Sequence, residues 1–253
     1  MGVVCGFGRD SKWICGVHGM KKGFIFVCIC LLLGGCAKQP PPDAGMAQNT
    51  PLCGKTVLLD AGHGGDDPGA VGTESGVGEA ELNLDVTLEL KRLLELLGAT
   101  VQLTRADENG LYNADGSGGS RKNQDMANRG KLIRQSGADV FVSIHMNTFD
   151  KRQYWGTQVF YAKNSVQGEL LAGAIQQSVA QTVQPLNRRE IKIGDFYVLN
   201  AAHQPAVLIE CGFLSNKQEE TLLLDAQYRY SLAHAFAMGI VEYFTQAGQV
   251  PAQ

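Results

Sequence analysis

From Lys55 onward, short β-branched or apolar runs alternate with longer amphipathic segments, the pattern of a largely parallel sheet layered with helices. Strands are predicted at Thr56 to Asp60, Thr100 to Thr104, Val140 to His145, Gln158 to Tyr161 and Ala206 to Glu210. Leu82, Val86, Leu90, Leu93 and Leu97 recur at helical spacing, so a first helix is expected from about Glu81 to Leu97, with Gly98 as its stop. Leu171, Ile175, Ser178 and Thr182 repeat the pattern through Ser165 to about Gln184, and Ala233, Phe236, Ala237, Ile240, Val241 and Phe244 trace a last helix. The expected fold is α/β: a single domain over residues 55–246 with a central, mostly parallel sheet flanked by helices, then a flexible tail at 247–253. Ala106 to Asp125 is a polar, Gly-rich connection too long for a routine loop, expected as a mobile flap or a ligand-facing rim.

Before Lys55 the pattern changes. Met20-Lys21-Lys22 is basic, Gly23 to Leu33 is apolar but short for a bilayer span, and Leu33-Gly34-Gly35-Cys36 resembles a bacterial lipobox. Residues 20–36 are therefore expected to be a lipoprotein-type signal, with Cys36 lipidated to form a membrane anchor. The alternatives, an uncleaved anchor or an ordinary signal peptide, also imply export. Residues 1–19 would bury that signal behind a mixed-charge leader, so translation is expected to start at Met20. Residues 37–54, rich in Pro and Ala, read as a tether.

Composition narrows the chemistry. A chain of 253 residues allows one domain with short appendages, and a formal net charge of -3 offers no general attraction to nucleic acid, so no nucleic-acid partner is expected. Five of the seven cysteines precede the folded part, leaving Cys53 and Cys211, which make neither a disulfide framework nor a cysteine zinc site. Any metal must be held by histidines and carboxylates.

Such residues gather at strand ends. After the first strand stands Asp60-Ala61-Gly62-His63-Gly64-Gly65, followed by Asp66, Asp67, Glu74 and Glu79. Its glycines fit no phosphate-loop spacing, and its acidic residues would repel phosphate. His145 ends the apolar run Val142-Ser143-Ile144, and Glu210 ends Ala206-Val207-Leu208-Ile209. Open α/β sheets place their sites at such ends, and a carboxylate capping so apolar a strand is costly without a partner. Two histidines with acidic residues on one sheet edge suit Zn²⁺ with a position left for water. Spacing leaves the acidic ligand open among Asp66, Asp67, Glu74, Glu79 and Glu81. No GxSxG elbow marks a serine hydrolase, and no His and Asn arrangement marks Cys211 as a nucleophile.

These segments resemble the zinc-dependent N-acetylmuramoyl-L-alanine amidases of the amidase type 3 family. The resemblance runs from Lys55 to about Phe244 and includes the GHGG segment, Gly76 to Leu84, Leu103-Thr104-Arg105, Ser143 to Asn147 and Pro205 to Asn216. It implies peptidoglycan as substrate, Zn²⁺ as cofactor, His63, Glu79 and His145 as its ligands and Glu210 as the catalytic residue, with Glu81 in reserve as the carboxylate ligand. Asn147 is expected to contact the substrate peptide or to form a strand-end turn; Arg105 is expected to be a structural ion-pair partner; His203 could support the Glu210 strand, and neither it nor His234 is expected to bind the zinc. Gly110-Leu111-Tyr112, Gln158 to Tyr161 and Asn187-Arg188-Arg189 further resemble the germination-specific spore-cortex amidases. That implies action in cortex maturation toward muramic δ-lactam, beside a separate deacetylase, at the outer face of the cytoplasmic membrane or in the cell wall or cortex. No wall-binding repeat is evident, so an activating protein partner is a further expectation. Two other readings compete: a zinc carboxypeptidase or aminopeptidase, and a non-catalytic peptidoglycan-binding lipoprotein.

Overall fold

Among the described residues, six strands form one sheet in the order β2-β1-β3-β6-β4-β5. They are β1 (Thr56–Ala61), β2 (Thr100–Leu103), β3 (Val140–Asn147), β4 (Gln158–Tyr161), β5 (Lys192–Ile193) and β6 (Ala206–Phe213). Neighbours run parallel except β4 against β6. The computed structural model describes residues 50–113, 115 and 117–247. The leader, the signal with Cys36, most of the tether and the end of the tail lie outside the described residues. Among the described residues, no helix is long and apolar enough to cross a membrane.

The helices are α1 (Glu79–Leu96), α2 (Arg121–Gln135), α3 (Val166–Thr182), α4 (Tyr197–Asn200), α5 (Lys217–Leu224) and α6 (Ala226–Ala247). β1, β3 and β6 read as apolar runs because both sheet faces are covered. Val57, Leu59, Val142, Ile144, Val207 and Ile209 join the larger core under α1, α3 and α6. Their strand neighbours Leu58, Phe141 and Leu208 face the other way, against Ile133 of α2 and Val198 and Leu199 of α4. Continuing that alternation, Asp60, Ser143, His145 and Glu210 project on the α2 side of the sheet at its C-terminal edge.

Two expectations change. The 106–125 segment ends as a loop at Ser120, because α2 begins at Arg121. This helix carries no apolar stripe: its buried residues are Arg129, Gly130 and Ile133, so hydrophobic periodicity had nothing to report. The tether is also shorter than its 37–54 span. Leu52 is fully buried in the larger core, and its N–H donates to Leu97 O at 3.0 Å.

Candidate active site

The turn after β1 is built around a backbone that only local support can hold. His63 adopts φ 61°, a left-handed conformation unfavourable for a side chain of this size. Two buried arginines fix the carbonyls around it. Arg105 Nε donates to Ala61 O at 2.9 Å and Arg105 Nη2 to Gly62 O at 3.0 Å; Arg129 Nη1 donates to Ala61 O at 2.9 Å and Arg129 Nη2 to His63 O at 3.0 Å. Arg105 is thus structural, as expected, but it holds carbonyl oxygens rather than an ion-pair partner. Arg129 is itself paired with Asp60, which also accepts from Thr104 Oγ1 and Ser143 Oγ at 2.6 Å each. Burial pushes the Asp60 carboxyl up, but the Arg129 charge and these hydroxyls outweigh it and hold the group below its ordinary range.

α1 starts two residues earlier than the sequence pattern suggests, which places Glu79 in its first turn with only 3% of its surface exposed. Glu79 Oε1 meets His145 Nδ1 at 2.9 Å and His63 Nε2 at 3.3 Å. It also accepts from Met146 N at 3.1 Å and Asn83 Nδ2 at 3.2 Å, and Oε2 accepts from Ala70 N at 2.8 Å. Burial pushes this carboxyl up, yet the hydrogen bonds from His145 and His63 prevail and hold it well below the usual range. Burial pulls His63 down, but its hydrogen bond to Glu79, the Glu79 charge and Asp67 raise it to about 9. Asp67 Oδ2 lies 3.0 Å from His63 Nδ1, on the far side of the ring from Glu79, so it orients the imidazole.

The two imidazoles stand edge to face, with centroids 5.1 Å apart, and one donor atom from each of His63, Glu79 and His145 lies within 4.8 Å of the others. Glycines make this crowding possible: a Cβ on Gly62 would enter the His145 ring, and one on Gly69 would meet Glu79 Oε2 at 2.5 Å and His63 Cδ2 at 2.7 Å. Two imidazoles and one ionised carboxylate converging from separate elements make a donor set that fits a zinc-type cation and leaves room for water. Glu81, the reserve ligand, is exposed outside this cluster, and Asp66 and Glu74 are likewise exposed.

Glu210 stands beside the cluster, opposite His145 in the β3–β6 register. Its Oε2 is shielded from solvent and has no hydrogen-bond partner among the described residues. Burial pushes its carboxyl up to about 7, with the His145 charge opposing and the Glu79 charge assisting. Such an orphaned acid in a buried setting is the kind of group retained for chemistry rather than stability. Asn147 lies one bulge beyond His145, against Phe213, and faces a separate cavity. Cys211 is buried in the larger core, on the opposite face from Glu210, and His203 and His234 are exposed elsewhere.

A cavity of about 430 Å³ opens at His63 and His145, walled by Tyr112, Arg121, Phe196 and Tyr197. Asp66 N donates to Tyr112 Oη at 2.7 Å and Gly65 N to Glu108 O at 2.7 Å. The long polar connection therefore lies against the His63 turn and serves as a rim. Sequence reasoning missed Asp60, Asn83 and Arg129 as supports, and Asp67 in its orienting role; Asp60 and Asp67, beside the glycine turn, and Asn83, within Gly76 to Leu84, stood in segments already singled out, whereas Arg129 did not.

The sequence profile of the N-acetylmuramoyl-L-alanine amidases matches residues 57–242. The germination-specific N-acetylmuramoyl-L-alanine amidase of Bacillus subtilis (strain 168) is 35% identical over 210 residues, 83% of this chain and 88% of that protein. The solved structure of the CwlD amidase from Clostridioides difficile, in complex with the GerS lipoprotein, is similar at 41% identity and a TM-score of 0.74, covering 76% of this chain and 99% of that one. An N-acetylmuramoyl-L-alanine amidase from Clostridium difficile 630 is similar at 30% identity and a TM-score of 0.65, over 78% of this chain and 98% of that one. With its sheet from Val57 onward and its cluster inside the matched region, the chain belongs to the N-acetylmuramoyl-L-alanine amidase family.

Proposed function

We propose that this amidase works with a zinc ion held by His63, Glu79 and His145 and with Glu210 as the group that moves protons. The bond cut is the amide between the lactyl group of muramic acid and L-alanine in peptidoglycan. The observation that carries the assignment of roles is the buried, unpartnered Glu210 Oε2 beside a His-Glu-His cluster.

When bound, zinc would supply Lewis acidity at the lactyl carbonyl and make water more acidic. Glu210, opposite His145, accepts a proton from the attacking water as its oxygen forms a bond to the lactyl carbon. It then delivers that proton to the departing L-alanine nitrogen as the C–N bond breaks. The products are a lactyl carboxylate and a peptide with a free amine. Burial, which raises this carboxyl in the metal-free protein, favours its holding the proton between the two halves of that transfer. Glu79 keeps negative charge in the cluster, and Asp67 fixes the face that His63 presents to it.

The likeness to a germination-specific relative supports a role in spore-cortex processing toward muramic δ-lactam. A solved relative described in complex with a lipoprotein supports an activating protein partner. Lipidation at Cys36 would put the enzyme at the outer face of the membrane, reaching wall or cortex through its tether. The deciding experiment treats the purified full chain with chelator, restores zinc, and follows peptidoglycan digestion by mass spectrometry beside Glu210→Gln. Zinc-dependent release of intact stem peptides with a free L-alanine amine, lost in the variant, is expected. Release of single amino acids would instead identify a peptidase, and no cleavage would point to a required partner or to a wall-binding protein.

A further inference from the structure

The row of side chains that runs from His145 to Glu210 continues one strand further. Gln158 stands opposite Glu210 in the β4–β6 register, and beyond it opens a second cavity, of about 280 Å³. Arg189 dominates this cavity. Its Nη1 donates to Gln158 Oε1 at 2.9 Å and its Nε to Trp155 O at 2.6 Å. The guanidinium lies 4.6 Å from the Phe213 ring centroid and 5.9 Å from that of Tyr154. An arginine held against an aromatic ring by two fixed acceptors loses little freedom when it meets a planar anion. Lys192, exposed on β5, and Asn147 line the same cavity, and no carboxylate does. Glu219, the carboxylate whose charge acts on Arg189, is occupied by backbone N–H groups of Phe213 and Gly156.

The cavity at His63 differs. There Arg121, Lys122 and Arg129 are matched by Asp66, Asp67 and Asp125. The cluster therefore has a charge-balanced cavity on one side and a cationic one on the other. Direction follows from the reaction: Glu210 must reach the departing nitrogen, so the peptide leaves from Glu210's side, where Gln158 and Arg189 stand.

We propose that the Arg189 cavity binds a carboxylate of the peptide leaving group, with Lys192 adding charge and Asn147 a hydrogen bond, and so selects acidic stem peptides. The inference rests on the amidase reading above and names the substrate feature that site selects. A charge-assisted pair in a partly buried pocket discriminates against its neutral amide by about tenfold or more.

The test uses two muramyl dipeptides that differ only at the second residue, one with a free α-carboxylate and one with a carboxamide there. Zinc-loaded full-length enzyme should favour the acid by about tenfold in kcat/KM, chiefly through KM. That ratio should fall toward one in Arg189→Gln and in Lys192→Gln, and Arg189→Lys should keep part of it. Calorimetric binding of the released acidic dipeptide, which needs no turnover, should weaken in the same order. Should Arg189→Gln fail to fold, exposed Lys192 decides the matter alone. Equal use of both substrates, or a ratio surviving Lys192→Gln together with unchanged dipeptide binding, overturns the inference. Hydrolysis of neither substrate points to the activating partner or against the amidase reading, and dipeptide binding then decides the inference without turnover.

Discussion

Arg129 Nη2 donates to the carbonyl oxygen of His63 at 3.0 Å, across 66 residues of sequence. The same guanidinium pairs with Asp60, and both side chains are almost completely withdrawn from water, at 2% and 0% exposure. One group thus stabilises a buried carboxylate and the strained turn that presents an imidazole to the cluster.

Arg129→Met should therefore act twice. Removing one member of a buried pair leaves the other charge uncompensated and costs about 3–5 kcal/mol, to be read from urea unfolding of the metal-free protein. Zinc affinity should drop as well, because the His63 carbonyl loses the donor that holds its backbone. Adding Asp60→Asn to this variant should recover part of the stability but not the zinc affinity; recovery of both would mean that the contact to His63 O is idle.

Glu210→Gln should lower kcat by about 10²–10⁴-fold while leaving zinc bound. Its effect on stability has the opposite sign. The folded carboxyl sits near 7, above its ordinary 4.5, so the fold disfavours the charged form. That destabilisation is absent below about pH 4.5, grows as pH rises toward 7, and is complete above it. At pH 8 the metal-free variant should melt at a higher temperature than the parent, and at pH 4.5 the difference should vanish. A lower melting temperature at pH 8 would show that Glu210 has stabilising contacts.

Zinc uptake should depend steeply on pH. In the metal-free protein His63 is raised to about 9 and holds a proton between Glu79 and Asp67 through the neutral range. A metal ion must displace that proton. Apparent affinity should rise about tenfold per pH unit up to roughly pH 9 and then level off. Competition with a chromophoric chelator at several pH values measures the slope, and a flat profile would remove His63 from the ligand set.

Gly62→Ala should separate metal binding from folding. The added methyl meets the His145 ring, so the imidazole must turn away from Glu79. Zinc stoichiometry by atomic absorption should fall well below one per chain while circular dichroism stays that of the parent. Full zinc occupancy would mean that His145 is not needed to hold the ion.

What the sequence disclosed follows from the kind of force acting at each place. His63, His145 and Glu210 were legible because apolar strands break off at polar residues, and burial on both sheet faces writes such runs plainly. Glu79 was one of several acidic residues until the resemblance chose it, since its selection depends on where α1 begins. α2 stayed hidden because Arg129, held by Asp60 and Asp125, anchors it in place of a hydrophobic stripe. Arg189 likewise gave no periodic signal: its role depends on Phe213 and Gln158, which only folding brings to it.

β6 is the last strand among the described residues and lies between β3 and β4. Until it inserts, β3 and β4 have no common neighbour, and the carboxylate that would cut the wall is missing from its row. On the role proposed for Glu210, a chain still being synthesised, or clipped ahead of residue 206, would carry both histidines and Glu79 yet lack the group that moves the proton. A wall-cutting enzyme so wired would stay inert through its own synthesis until the final strand closes the sheet.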